Sequence, residues 1–300
     1  MFNFKSDIQF INYFRLFNFV SLILILISVG FIFYKGLNFG VDFKGGTLIE
    51  LRVENTEIGI GDVRQSFIKM NLGDVNVKKF GKGNDYLIKF EQTDKNKENF
   101  IENIKTQLSK NLAGNFSFRR VENVGPKVSG ELLKSGLIAI VLSLSAMLIY
   151  IWIRFEWQFS LGAIIALIHD VIITIGFFSI LEFEINLSIV AAVLTIVGYS
   201  MNDTVVIFDR VRENLKKYSS KSINEISNLS INETLSRTII TSLTTLLALL
   251  SIFFFGGKIL HGFSFAMILG VIFGTYSSIF IANPILIKLK VNQKSVLKGE

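Results

Sequence analysis

Ionisable side chains stand inside three apolar stretches of this sequence. Asn202 and Asp203 interrupt one apolar run, His169 and Asp170 stand in the run before it, and Arg237 opens the next one. Placing a carboxylate in a bilayer-spanning helix costs about 2.5–3.5 kcal/mol on insertion scales, so a functional role is the first interpretation. A carboxylate that is charged in one conformation and neutral in another can carry a proton. The pattern therefore points to proton or ion transfer within a membrane.

Asp203 has two interpretations that the sequence leaves open. If its span covers 187–208, Asp203 is about five residues, or about 7.5 Å, from the polar end and could simply reach water. Arg237 lies at a similar depth, so the two could instead form a pair. An Asp beside Arg stays charged, whereas one separated from it in an apolar site takes a proton, so conformation could control such a pair. Arg237 could equally be only a positive anchor at the membrane edge.

Asp170 lies deeper, about 11 residues into its span, where an aspartate must pair, accept a proton or face water. His169 points about 100° away from Asp170 on a helix, so the two need not touch. It could equally be a satisfied interior side chain. The predicted neighbours of Asp170 are Ser200 and Asn202, because a short connection makes consecutive spans adjacent.

Composition indicates a polytopic membrane protein. Of 300 residues, 50% are hydrophobic and 29 are Phe, and the mean hydropathy is +0.50. The absence of cysteine excludes disulfides, thiolate zinc sites and cysteine nucleophiles. With only two histidines, His169 and His261, the composition argues against a His-rich metal site. His261 is predicted to be exposed in an outer turn. No metal and no cofactor are expected.

The chain is not expected to be an enzyme. It has no phosphate-binding GxxxxGK[ST] loop, and the polar region shows no Ser/His/Asp or paired-carboxylate arrangement that requires hydrolysis. Any energy that the protein uses would then come from an ion gradient, in which one charge crossing 100 mV supplies about 2.3 kcal/mol. Nothing resembles a sodium cage, so H⁺ is the expected coupled ion.

Six apolar runs are long enough to span a bilayer. The first, 17–34, is interpreted as an uncleaved helix, because bulky residues stand where a signal peptide would have small ones. The others are predicted at 132–153, 159–181, 187–208, 238–255 and 262–287. Residues 1–16, 209–237 and 288–300 are then polar segments on one side of the membrane.

Basic residues are distributed unevenly between the two sides of these spans. With the N-terminus in the cytoplasm, the short turns on the opposite side hold Lys258 alone. The cytoplasmic set is Lys5, Arg15, Arg154, Arg210, Arg212, Lys216, Lys217, Lys221, Arg237 and the tail lysines Lys288, Lys290, Lys294 and Lys298. This asymmetry predicts that both termini are cytoplasmic. It also accounts for the net charge of +7 without nucleic acid as a partner.

Two further segments carry structural predictions. The stretch 224–235 places apolar residues among polar ones and lies either on the inner membrane surface or in a solvated loop. Gly270 and Gly274 are four apart in the last span, and small residues line the third at Gly162, Ala163 and Ala166. Such spacing favours close helix packing and could equally serve sliding of helices.

Residues 35–131 form a polar domain that the charge distribution places on the periplasmic side. Alternating apolar residues predict strands at 47–53, 74–80, 85–91 and 115–124, and helical spacing predicts helices at 62–70 and 95–112. The order β-α-β-β-α-β is that of the ferredoxin-like fold. The predicted fold class is therefore a polytopic α-helical membrane protein with six transmembrane helices and one periplasmic α+β domain between the first two.

Several stretches, taken in order, resemble the SecD/SecF family of the resistance–nodulation–division superfamily. They are GVDFKGGTLIEL after the first span, VGPKVSGELLKSG into the second, IRFEWQFSLGAIIALIHDV, VGYSMNDTVVIFDRVREN in the fourth, and LSRTIIT followed by LLALLS and FFFGG. The resemblance covers nearly the whole chain, including the span count and the single large outer domain.

The resemblance implies a subunit of the Sec protein-export machinery in the bacterial inner membrane. Such a subunit works with SecD beside the SecYEG channel, often with YajC. It uses the proton motive force to draw a preprotein outward after the ATP-driven step of SecA, and its outer domain engages the preprotein.

The resemblance also implies roles for particular residues. The proton-path residues of the family correspond to Asp203 in MNDT and Arg237 in SRT, and its HD pair corresponds to His169 and Asp170. Asn202 belongs to the same MNDT stretch. The carboxylate that SecD is expected to contribute is absent from this chain. The remaining family positions are Asp42, Gly45, Gly46, Gly125 and Pro126.

Two other functions compete with protein export. A small-molecule exporter of the same superfamily usually has two six-span halves and two outer domains in one chain, whereas this chain has one of each. A passive, membrane-anchored binding subunit would not need the charges inside its spans.

Overall fold

The computed structural model describes residues 8–55, 57–79, 83–91, 97–112 and 115–293. Lys5, Lys294 and Lys298, which carry part of the charge argument, lie outside the described residues. Contacts divide the chain into a helical unit, Met1–Asn38 with Leu137–Glu300, and a sheet unit, Phe39–Gly136.

The described helices and strands follow one another in the predicted order. The helices are α1 (Ile11–Lys35), α2 (Val41–Lys44), α3 (Ile60–Ile68), α4 (Lys97–Asn111), α5 (Pro126–Arg154), α6 (Trp157–Ile180), α7 (Leu187–Lys217), α8 (Ile223–Phe255), α9 (Lys258–Ser277) and α10 (Asn283–Lys288), with a π-helical segment, Ser278–Ala282, before the last. The strands are β1 (Gly46–Val53), β2 (Val75–Lys79), β3 (Asp85–Phe90) and β4 (Phe116–Val124). Within the described part of the chain, six helices are long and apolar enough to cross a membrane, which confirms the predicted span count.

The sheet unit is built on an antiparallel sheet with the strand order β2-β3-β1-β4. Ile49 of β1 faces Ile88 of β3 in the register, and both are fully buried. Phe67 of α3 and Leu108 of α4 enter the same hydrophobic core. Because alternate strand residues face one side, these apolar positions pack the two helices onto the sheet. The predicted βαββαβ order is confirmed; α2 is an additional short helix that the sequence did not predict.

Several helices extend beyond the predicted spans. Helix α1 begins at Ile11 instead of 17, α5 at Pro126 instead of 132, and α7 continues to Lys217 instead of ending at 208. An apolar run marks the part of a helix that can lie in hydrocarbon, whereas backbone hydrogen bonding continues into polar sequence. Pro126 suits the first position of α5, because its missing N–H has no partner there in any helix.

The stretch 224–235 is the first part of α8, so the solvated-loop alternative is wrong, and a position at the inner membrane surface stays a prediction. Ser222 caps the helix: its Oγ accepts from the backbone N–H of Glu225 at 3.3 Å, and the Glu225 carboxylate accepts from the Ser222 N–H at 2.8 Å. Ile226 and Ile231 are buried in the core of the helical unit. The apolar residues of the stretch therefore face neighbouring helices.

His261 also differs from its prediction as an exposed loop residue. It lies in the first turn of α9, is half-buried, and its ring stacks on Phe253 with centroids 4.0 Å apart. The aromatic partner is contributed by the end of α8, a contact across a short connection that sequence spacing alone does not reveal.

Helices α6, α7 and α9 form the interior of the helical unit. Within their most apolar windows, 56% of α6, 50% of α7 and 61% of the run Ile259–Lys288 is buried, against 17% or less for α1, α5 and α8. The polar residues singled out in α6 and α7 therefore lie on the inner helices, where polar groups need partners within the protein.

Candidate proton-transfer site

Small residues let the inner helices approach closely. A methyl group at Gly274 of α9 would lie 2.9 Å from Cβ of Ser200 on α7, and one at Gly270 would overlap Ile196. Ala163 and Ala166 of α6 are both almost completely buried. The prediction of close packing at these residues is confirmed, and short hydroxyl side chains can bridge the narrow gaps between the helices.

Asp170 has hydrogen-bond partners at both carboxylate oxygens. It is 0% exposed, and its Oδ2 accepts from Ser200 Oγ at 2.7 Å and from Ser277 Oγ at 2.8 Å. Its Oδ1 lies 2.8 Å from Nδ1 of His169 and shares a hydrogen with it. One buried carboxylate thus joins α6, α7 and α9 through short bonds, so its polar atoms are satisfied without water.

The neighbours of Asp170 correct one prediction. Ser200 contacts it, as predicted, but Asn202 is exposed and does not. Asn202 is two residues further on, about 200° around the helix from Ser200, so it faces away from α6. His169 does touch Asp170, since its Nδ1 lies 2.8 Å from Oδ1, although adjacent helix residues diverge.

His169 connects Asp170 with a ring contact to α9. Its imidazole stacks on Tyr276 with ring centroids 5.9 Å apart, and the Tyr276 hydroxyl donates to the carbonyl of Phe17 at 2.6 Å. The hydroxyl also shares a hydrogen bond of 2.7 Å with Ser21, so α1 joins the network. Nε2 of His169 is buried without a hydrogen-bond partner.

Asp203 is nearly as buried, at 3% exposure, but has weaker partners. Its Oδ2 lies 3.3 Å from Ser242 Oγ on α8 and 3.4 Å from Thr275 Oγ1 on α9, at the outer limit of hydrogen bonding. The two hydroxyls are themselves only 2.6 Å apart. Since each hydroxyl has one hydrogen, the bond between them leaves a single hydrogen for Asp203.

Of the two alternatives for Arg237, the ion pair with Asp203 is not formed in this structure. Its side chain is exposed, although its charge lies close enough to act electrostatically on the carboxylate. Asp203 therefore has a cation nearby without a direct bond to it.

The remaining family positions meet within the sheet unit, at the start of β1. Gly45 and Gly46 have φ of +77° and +114°, a backbone region that favours glycine. A methyl group at Gly46 would lie 2.7 Å from the carbonyl oxygen of Phe90, and one at Gly45 would lie 3.3 Å from Cα of Pro126. Gly125 immediately precedes α5, and Asp42 lies in the first turn of α2. Sequence reasoning named these residues but did not predict that they come together.

The hydroxyl partners Ser242, Thr275 and Ser277 were missed by the sequence. A Ser or Thr in a helix usually donates to a backbone carbonyl one turn earlier, as Thr204 does to Ser200. Nothing in the local sequence distinguishes these three hydroxyls, which bond to another helix, from hydroxyls that bond only to their own helix. Among the described residues, no cluster of three or more His, Asp or Glu could hold a metal ion.

Comparisons with known proteins agree with this architecture. The family "Protein export membrane protein SecD/SecF, C-terminal" matches residues 104–292, and "SecD/SecF GG Motif" matches residues 30–57. A protein translocase subunit SecF from Rickettsia bellii is 49% identical over 283 residues, covering 94% of this chain and 93% of the relative. One from Rickettsia prowazekii is 46% identical over 302 residues, covering 99% and 96%.

The structure is also similar to solved chains. The crystal structure of SecDF, a translocon-associated membrane protein from Thermus thermophilus, matches 97% of this chain with a TM-score of 0.86 and 33% identity. SecDF in its super-membrane-facing form matches with a TM-score of 0.70. This chain spans 40% of the length of each SecDF chain. With a family model over most of its helices and close relatives along nearly its full length, the chain belongs to the SecD/SecF family of protein export membrane proteins.

Proposed function

We propose that this chain is a subunit of the Sec protein-export machinery that works with a SecD-type partner and uses proton movement at Asp203 to drive preprotein translocation. Family membership and the six-span architecture support the export role. The SecDF chains that it resembles are much longer, which favours a partner that supplies the remaining spans.

The observation that carries the proton role is the incomplete hydrogen bonding of Asp203. An ionised carboxylate buried in a span needs several donors, and this one meets two hydroxyls at 3.3 and 3.4 Å that also bond each other. Protonation removes the charge and gives the carboxyl a hydrogen to donate. Uptake and release of a proton would therefore change how α7 contacts α8 and α9, and this change is the step that couples proton flow to motion.

The proposed orientation places both termini in the cytoplasm and residues 35–131 in the periplasm, in the inner membrane. The uneven distribution of basic residues supports it. In this arrangement the sheet unit meets the emerging preprotein, and the helical unit lies beside SecYEG with YajC as an accessory partner. Protons move inward along their gradient.

The proton role is tested by exchanging Asp203→Asn and measuring preprotein export into membrane vesicles with and without an imposed proton gradient. We expect the variant to export at the rate seen without a gradient, because the amide cannot exchange a proton. The matched control is Asp209→Asn on the same helix, since Asp209 pairs with Arg154 near the helix end. Gradient-stimulated export that persists in Asp203→Asn would reduce the chain to a passive anchor.

The orientation has its own test, because the chain contains no cysteine to interfere with labelling. Gln65→Cys in the sheet unit and Ser219→Cys between α7 and α8 both replace exposed residues. A membrane-impermeant thiol reagent should label the first in cells with a permeable outer membrane and the second only after the inner membrane is opened. The reverse pattern would invert the proposed topology.

A further inference from the structure

Helix α9 contacts both buried carboxylates within a single turn. Thr275 reaches Asp203, and Ser277, two residues further on, donates to Asp170 at 2.8 Å. Helix α7 is also linked to both, because it carries Asp203 itself, and three residues earlier its Ser200 donates to Asp170 at 2.7 Å. The two acidic centres therefore share the same pair of helices.

The shared helix pair is closely packed at this level. A methyl group at Gly274 would lie 2.9 Å from Ser200 Cβ and 3.1 Å from Ser200 Cα, so α7 and α9 are in backbone-to-side-chain contact here. The Oδ2 atom of Asp170 accepts one hydroxyl from each helix just beside this crossing. Directly after Ser277 the chain changes to the π-helical segment Ser278–Ala282. Irregular helical turns of this kind often lie at functional sites.

We propose that Asp170 is a positioning residue: by binding Ser200 and Ser277 with one oxygen, it sets the register of α9 against α7 so that Thr275, with Ser242, reaches Asp203. This inference rests on the proposed role of Asp203. The contacts of Asp203 are already long, at 3.3 and 3.4 Å, so a shift of α9 by about 1 Å breaks them. In this role Asp170 needs an acceptor oxygen and does not itself exchange a proton.

Other ionisable groups surround Asp203 and bear on any pH measurement. Arg237 of α8 acts on it through its charge. The titratable side chains in adjoining turns of the packed helices are His169 and Asp170 on α6, Tyr199 on α7 and Tyr276 on α9. The variants below leave all of these in place except where Asp170 itself is exchanged.

Two variants separate positioning from proton transfer. Asp170→Asn keeps an oxygen for the two serine hydroxyls and lets its amide donate to His169, so the bridge survives without a titratable proton. Ser277→Ala removes the α9 arm of the bridge and keeps the Asp170 carboxylate. A positioning role predicts that Asp170→Asn exports within about twofold of the parent, whereas Ser277→Ala loses about tenfold of the gradient-stimulated rate.

The pH dependence of gradient-driven export distinguishes positioning of Asp203 from a purely structural role of Asp170, which would leave this dependence unchanged. In Ser277→Ala the ionised Asp203 has lost donors, so the profile of gradient-driven export should move to higher pH. The infrared carboxyl band that disappears in Asp203→Asn should also shift in Ser277→Ala. The matched control is Ser264→Ala, a fully buried serine of the same helix whose hydroxyl donates to backbone carbonyls of α9.

The outcomes are distinguishable from failure of the proposed function. If Asp203→Asn exports normally, both proposals fall together. If Asp203→Asn loses coupling but Ser277→Ala matches Ser264→Ala in rate, pH profile and infrared band, only the positioning role is overturned. An Asp170→Asn variant that is as defective as Asp203→Asn, at equal abundance in the membrane, would instead make Asp170 a proton carrier and also overturn it.

Discussion

Asp170 and Asp203 lie on neighbouring helices, are both almost fully buried and share α9 as a neighbour, but their oxygens meet different sets of donors. Asp170 has three polar contacts between 2.7 and 2.8 Å, from two serines and an imidazole. Asp203 has two hydroxyls at 3.3 and 3.4 Å that also bond each other. The same residue type at similar burial is therefore held firmly in one place and loosely in the other.

Under the proposed function, this difference separates a structural polar centre at Asp170 from a proton-exchanging one at Asp203. Short, complete hydrogen bonding stabilises one arrangement of helices and opposes its rearrangement. Incomplete hydrogen bonding stabilises the ionised carboxylate less, so the protonated form of Asp203 becomes accessible, as the proposed coupling role requires. Burial by itself would not have distinguished the two aspartates.

The largest expected effect is on stability. Asp170→Ala leaves two serine hydroxyls and His169 without their hydrogen-bond partner, and we expect it to destabilise the helical unit by about 3 kcal/mol. Asp203→Ala should cost about 1 kcal/mol or less, because it removes weak contacts. Thermal unfolding in detergent measures both. Equal losses in the two variants would show that the contrast in hydrogen bonding has no energetic counterpart.

A glycine substitution should disturb both centres at once. Gly274→Ala places a methyl group 2.9 Å from Ser200, so α7 and α9 must separate. We expect a loss of about 1–3 kcal/mol in stability together with reduced gradient-driven export. The control is Gly198→Ala on α7, where a methyl group would meet no atom within 4 Å. Similar behaviour of the two alanine variants would contradict the close crossing.

Variants of Arg237 test whether a nearby charge that makes no direct bond affects proton transfer at Asp203. Because it is exposed and acts at a distance, Arg237→Ala should lower gradient-driven export about fivefold, an effect of about 1 kcal/mol. Arg237→Lys should retain most of the activity, since it keeps the charge. If lysine fails as badly as alanine, the guanidinium must bond Asp203 directly in another conformation.

The smallest effect is expected for a single hydroxyl at Asp203. Ser242→Ala removes a contact of 3.3 Å and should lower the free energy of unfolding by no more than about 0.5 kcal/mol. The pH dependence of export should respond more than the stability does, because the remaining Thr275 hydroxyl is then free to donate. A melting loss as large as that of Asp170→Ala would mean that Asp203 is a structural centre after all.

Much of the architecture could be predicted because the signals are local. Apolar runs identified six spans, and period-two and helical patterns identified the four strands and two helices of the sheet unit in order. The errors concentrate at helix ends and in 224–235, where an amphipathic helix packs against other helices. That stretch mixes apolar and polar residues, so a search for long apolar runs does not select it, although its apolar side packs on protein.

The sequence alone determined where ionisable residues enter the spans, since Asp170 and Asp203 stand among apolar neighbours whatever the packing. Only the tertiary structure decided which hydroxyls serve each of them, that Asn202 faces outward, and that Arg237 stays out of ion-pair contact with Asp203. The physical reason is the helix repeat: one residue of register turns a side chain by about 100°, and the glycine-mediated crossing of α7 and α9 selects the register.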